Sequence, residues 1–193
     1  MITAILITLA ALVAVFLAVV ASRPNRFRIS RSATIAAPPA IVFDQVNDLR
    51  RFQDWSPWAK RDRNARTTFE GPRAGTGAVF KWAGNKEVGE GIMTVVESQP
   101  YELVRFRLEF LKPFAATNTA EFTFTPEAGQ TRVTWSMFGE SRFFCKAIGL
   151  FINMDELCGR DFEKGLASMR EIAEATAAAA PSPNGRHLTH AAA

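Results

Sequence analysis

The chain has 193 residues, 48% of them hydrophobic, and a formal net charge of +4. Arg23, Arg26, Arg28 and Arg31 lie in one short stretch, so the remainder is close to neutral and lacks the basic face that nucleic-acid binding requires. Cys145 and Cys158 are too few for a disulfide framework and fit a reduced pair. Both histidines, His187 and His190, fall in an Ala-rich tail. The folded part therefore has no Ser-His-Asp or Cys-His nucleophile pair and no His-based zinc or iron site.

Residues 2–21 contain no charge, Pro or Gly, and twelve of them are Ile, Leu, Val or Phe. A helix of that length spans about 30 Å, the thickness of a bilayer's hydrocarbon core. The large side chains favour insertion by about 4 to 7 kcal/mol in total, an upper bound since residues near the ends count for less. A membrane anchor over residues 1–22 is the expectation, with a cleaved signal peptide as its competitor; the length of the run and the absence of a basic residue before it favour the anchor. The four arginines follow the helix, so the positive-inside rule puts the rest of the chain on the cytoplasmic side, where they can pair with anionic headgroups.

Residues 26–35 alternate, with Phe27, Ile29, Ala33 and Ile35 on one face and Arg28, Ser30, Ser32 and Thr34 on the other, the pattern of a half-buried strand. Pro38-Pro39 ends it and opens a helix through Asp48 with Ile41, Val42, Val46 and Leu49 at helical spacing. Residues 54–58 (DWSPW) read as a loop. Strands are expected at 67–70, 75–82, 87–97, 101–111, 117–125 and 131–138, separated by turn signals such as Gly84-Asn85 and Ala128-Gly129. Their two-faced patterns suit an antiparallel sheet covered on one side. A long helix runs from Asn153 to about Thr176: Asn153 with Glu156 resembles a capping box. Leu157, Phe162, Leu166, Met169 and Ile172 form its apolar stripe, and Glu156/Arg160 and Arg170/Glu174 are i,i+4 pairs. Gly159 and Gly165 each cost roughly 1 kcal/mol in a helix interior, which close packing or room for a ligand would offset. The globular domain thus covers residues 23–178, and 179–193 read as an unstructured tail.

This order of elements is that of an α+β helix-grip fold. The residues resemble the SRPBCC superfamily of START-like and birch-pollen-allergen-like domains, and within it the polyketide cyclase/dehydrase group. The resemblance rests on residues 39–58 (PAIVFDQVNDLRRFQDWSPW), 84–93 (GNKEVGEGIM), 131–139 (TRVTWSMFG) and 159–166 (GRDFEKGL). It implies a curved antiparallel sheet wrapped around the long C-terminal helix with an apolar cavity between them. It implies no catalytic set, because the superfamily shares a cavity rather than a motif.

The inward faces supply Phe80, Trp82, Met93, Phe106, Phe122 and Trp135 as candidate walls, with Phe162, Leu166 and Met169 from the helix and Trp55 and Trp58 near a mouth. The alternative for each is a solid core. Glu87 and Glu90, flanking Gly89 in a strand, are the polar cavity candidates; an exposed strand edge is their other reading. Arg105 and Arg107 read as solvated outer surface. No metal, cofactor or catalytic residue is implied, and the sequence does not set the oligomeric state. The expected function is membrane-anchored binding of a hydrophobic small molecule or lipid. A cyclase or dehydratase using cavity carboxylates, and an interaction or chaperone-regulating module, are the alternatives.

Overall fold

In the uninterrupted apolar run the backbone pairs with itself as a helix, α1 (Ile2–Ser22), every residue of which except Val20 is exposed. It is long and apolar enough to cross a membrane. The computed structural model describes residues 1–141, 143–151 and 153–180. The tail from residue 181 onward, with His187 and His190, and the side chain of Cys145 lie outside the described residues.

After α1 the chain enters a seven-stranded antiparallel sheet. Its strands are β1 (Arg26–Ile35), β2 (Arg66–Glu70), β3 (Val79–Ala83), β4 (Glu90–Gln99), β5 (Leu103–Lys112), β6 (Ala116–Glu127) and β7 (Gln130–Glu140), ordered β1-β7-β6-β5-β4-β3-β2. From β2 to β7 each strand pairs with its successor, as short turns dictate, and β1 closes the far edge against β7. Two register shifts in β4, at Glu90/Gly91 and Val95/Glu97, bend that strand and curve the sheet. The outer face is solvated: Arg105 pairs with Glu97 and with Glu121, and Lys81 with Glu70.

The inner face receives α2 (Pro39–Asn47), α3 (Leu49–Trp55) and α5 (Met154–Ala179); α4 (Phe143–Ile148) packs beside α1. Asn153 caps α5 as expected, its Oδ1 accepting from the Glu156 N–H at 3.2 Å. Glu156 turns to Arg160, whereas Glu174, expected to pair with Arg170, accepts from the Ala36 N–H at 2.8 Å. Where α5 crosses β1 and α2, Ile35, Val42, Val46, Val133, Leu166 and Met169 form a solid core, each at most 2% exposed.

Several expectations need correction. The helix read as running through Asp48 breaks there, because the Asp48 carboxylate accepts from the Arg50 N–H (2.9 Å) and starts α3 as its N-cap. Trp55, read as loop, therefore ends a helix. The strand expected at 75–82 spans Val79–Ala83 instead. The strand expected from residue 87 begins at Glu90, because Gly89 takes φ +63°, favoured only by glycine, and its N–H donates to the Asn85 carbonyl at 2.8 Å. Glu87 thus sits in a turn.

Burial alone would raise the Asp48 carboxyl; hydrogen bonds from Arg73 and from the Arg50 and Arg51 backbone outweigh it and hold the group below the ordinary aspartate value. A depressed folded-state pKa adds stability that is present above the unfolded value, near 3.9, and is lost as pH falls through the folded one. In urea unfolding of the intact chain, Asp48→Asn should lower stability at pH 7 and show a shallower decline than the parent below about pH 4.

Candidate functional site

Helix α5 does not cover the whole sheet. It rests on β1, α2 and α3, and over the inner faces of the remaining strands lies a cavity of about 790 Å³. The aromatic side chains that parity turns inward make its walls. Phe80 and Trp82 come from β3 and Met93 from β4; Phe106, Leu108 and Phe110 come from β5. Ala120 and Phe122 of β6, with Trp135 and Met137 of β7, complete the sheet side. Phe52 of α3, Trp58 and Phe162 of α5 close it from above.

The closure is fixed by rings. Trp135 stacks on Phe162 with centroids 4.1 Å apart and planes 4° from parallel, and Trp58 meets both edge-on. Such contacts contribute about 0.5–1.5 kcal/mol each beyond burial. The Trp135 Nε1–H is buried without an acceptor among the described residues. Gly165 allows the approach, since a Cβ there would lie 2.9 Å from the Trp135 ring and 3.2 Å from Pro57. Gly159 has a different reason: the Arg31 guanidinium lies over it, bonded to Asp155 (3.0 Å) and Glu163 (2.9 Å).

Most of the expected wall residues meet in this cavity: Trp58, Phe80, Trp82, Met93, Phe106, Phe122, Trp135 and Phe162. Trp55, Leu166 and Met169 do not. Trp55 is 1% exposed, its Nε1–H donating to the Gln45 carbonyl at 2.8 Å, and the other two belong to the solid core under the second half of α5. Glu90 lies outside the cavity as well, paired with Lys112 at 2.8 Å. Glu87 is exposed at the rim. Leu157, expected in the buried stripe, is 56% exposed beside the opening. Arg31, expected at the headgroups, is bound to α5; its odd-numbered parity with Phe27 and Ile29 was the signal.

Charge gathers at the mouth. Arg61 Nη2 meets Asp161 Oδ1 at 2.5 Å, and Asp62 accepts from the backbone N–H groups of Asn64 and Asn85. None of these was expected from the sequence, although three charges in Arg61-Asp62-Arg63 after the DWSPW segment mark the place. Cys158 also reaches the cavity. Burial, then the nearby Asp161 and Asp155, push its thiol up, so at neutral pH it stays protonated and is a poor nucleophile. The arrangement can enclose an apolar molecule and present charge to whatever part of it remains at the opening. Among the described residues no group of three His, Cys, Asp or Glu is placed to hold a metal ion.

Known proteins share this architecture. The family described as polyketide cyclase/dehydrase and lipid transport matches residues 26–174. Protein MLL2253 from Mesorhizobium loti is 12% identical, with a TM-score of 0.58 over 78% of this chain and 98% of that one. The Zhui aromatase/cyclase from Streptomyces sp. R1128 is 15% identical, with a TM-score of 0.56 over 77% and 94%. Protein CV1439 from Chromobacterium violaceum is 16% identical, with a TM-score of 0.55 over 79% and 99%. At these identities the likeness is one of fold. No curated protein is significantly similar to the chain.

The two helix glycines give a graded test. Gly165→Ala pushes a methyl against ring and proline atoms that cannot yield, and should cost about 1–3 kcal/mol in urea unfolding. Gly159→Ala meets the Arg31 guanidinium, which can swing outward at the loss of its exposed ion pairs with Asp155 and Glu163, each worth about 1 kcal/mol or less, and should cost less; a larger loss than at Gly165 would contradict the packing described.

Proposed function

The chain belongs to the polyketide cyclase/dehydrase and lipid transport family, and we propose that within it this protein is a membrane-anchored binder of a hydrophobic small molecule or lipid. The observation that carries the reading is the cavity: about 790 Å³, walled by aromatic and aliphatic side chains, with Arg61, Asp62, Arg63, Glu87 and Asp161 on its border. That volume suits one drug- or lipid-sized molecule. Walls of this kind favour an apolar body, and Arg61, Asp62 and Arg63 meet a polar end. The α1 helix supplies the anchor, and the exposed Arg23 and Arg26 that follow it favour a cytoplasmic domain.

Catalysis by Glu87 or Glu90 has no support in their positions, since one lies at the rim and the other on the sheet's outer side. The reading is tested on the intact chain in lipid nanodiscs. Native mass spectrometry and solvent extraction should find an apolar molecule bound, about one per chain. Ala120→Trp places an indole in the cavity, and should reduce occupancy several-fold with near-parental thermal unfolding. An empty parental cavity, or full occupancy in the variant, would overturn the reading.

A further inference from the structure

The exposed apolar side chains of the folded domain are not scattered. Among the described residues beyond α1, eight large ones are exposed: Val96, Tyr101, Leu111, Phe114, Phe143, Phe151, Met154 and Leu157. All but the first two lie at one end of the molecule. Leu111 is at the end of β5, Phe114 is in the β5–β6 connection, and the others are between β7 and the first turn of α5. This is the end where β1 and β6 begin and β5 and β7 finish. Phe114 is 65% exposed and Phe151 81%, values that a water-facing surface does not favour in a cluster.

The same end receives α1. Only Arg23, Pro24 and Asn25 separate Ser22 from the first residue of β1, a reach of about 14 Å even when fully extended. That connection is also tied down. The Asn25 carbonyl accepts from the Ser141 N–H at 2.8 Å, the Asn25 side chain binds Lys146, Val20 is fully buried, and α1 packs against α4. A domain fastened so closely to a membrane-spanning helix has no freedom to hold this end away from the bilayer. The cavity opens here too: Glu87 and Val88 in the β3–β4 turn, Phe110 near the end of β5, and Leu157 and Cys158 in the first turns of α5 all border it. Leu157 belongs to both sets.

We infer that this end of the domain is a second membrane contact, in which Leu111, Phe114, Phe143, Phe151 and Met154 enter the headgroup–acyl boundary of the bilayer that α1 spans. The cavity mouth at Leu157 then meets the bilayer, and an apolar ligand passes between acyl layer and cavity without crossing water. Interfacial burial of such side chains draws on apolar area, aided by electrostatic attraction of Arg23 and Arg26 to anionic lipid. The inference rests on the anchor reading of α1.

Spin labels on the full-length chain separate the two. In a Cys145→Ser/Cys158→Ser background, single labels are placed through Leu12→Cys, Leu111→Cys, Phe151→Cys and Gln99→Cys. The last lies at the opposite end of the sheet. The proteins are reconstituted in vesicles of phosphatidylcholine with a minor share of phosphatidylglycerol, and collision rates with oxygen and with a water-soluble nickel chelate are compared. The oxygen-to-nickel ratio should be highest at 12, and at 111 and 151 several-fold above that at 99. A deep label at 12 with 111 and 151 as aqueous as 99 would overturn the docking surface and leave the anchor standing. An aqueous label at 12 would overturn both.

Discussion

The structure depends on where α5 lies across the sheet. The Trp135–Phe162 stack sets that position, Gly165 allows it, and Arg31 secures the helix nearer its N-terminus through Asp155 and Glu163. These contacts hold α5 over the β1–β7 edge. Under its second half Leu166 and Met169 have partners on every side and make a solid core. Among the described residues no helix packs in the same way over β3 and β4, and the large side chains of β3 to β5 face a space of about 790 Å³. The cavity therefore arises from the placement of one helix, not from small side chains in the sheet. On the sheet side of the wall the exception is Ala120, which shows where one added ring would fill the space.

The chemistry of the space follows from its walls. An apolar interior disfavours any unpaired charge by several kcal/mol, and the ionised groups that border it are partnered or lie at its edge, Arg50 over the Phe69 ring and the others at the opening. Asp161 is held by Arg61, Asp62 by backbone N–H groups, and the Cys158 thiol is kept protonated. Such a site suits a molecule that is largely hydrocarbon with one polar end. Under the proposed anchoring α1 would serve the same end: a ligand of that kind resides in a bilayer, and the opening lies at the end of the sheet from which α1 departs.

Much of this was legible in the sequence. Period-two alternation gave the strands and their inward residues because a sheet buried on one face enforces it, and the uniform apolar run gave α1. Of the wall residues that sequence missed, Leu108, Phe110, Ala120 and Met137 follow the same parity as Phe106, Phe122 and Trp135, whereas Phe52 comes from α3, a helix that starts beyond the one expected through Asp48. Parity shows which residues face inward. It does not show which of them are covered by α5, and so it placed Trp55, Leu166 and Met169 in the wall rather than in the core. That distinction depends on the lateral position of a helix more than a hundred residues away from Trp55. Glu87 was misread because a glycine in a left-handed turn and a glycine in a strand are the same letter. Arg31 was assigned to the membrane by composition, although its place between Ile29 and Ala33 on the inner face already pointed toward α5.

The central claim is that the space between sheet and helix receives an apolar ligand while the core beneath the second half of α5 stays closed. The five methionines include reporters for each region: Met93 and Met137 line the cavity, and Met169 is fully buried in the core. Methionine-methyl NMR of the otherwise deuterated full-length chain, in deuterated nanodiscs with a protonated long-chain fatty acid, reads them separately. The account predicts ligand-to-methyl Overhauser contacts at Met93 and Met137 and none at Met169. Contacts at none of the three, or at Met169 as strongly as at the other two, would contradict it.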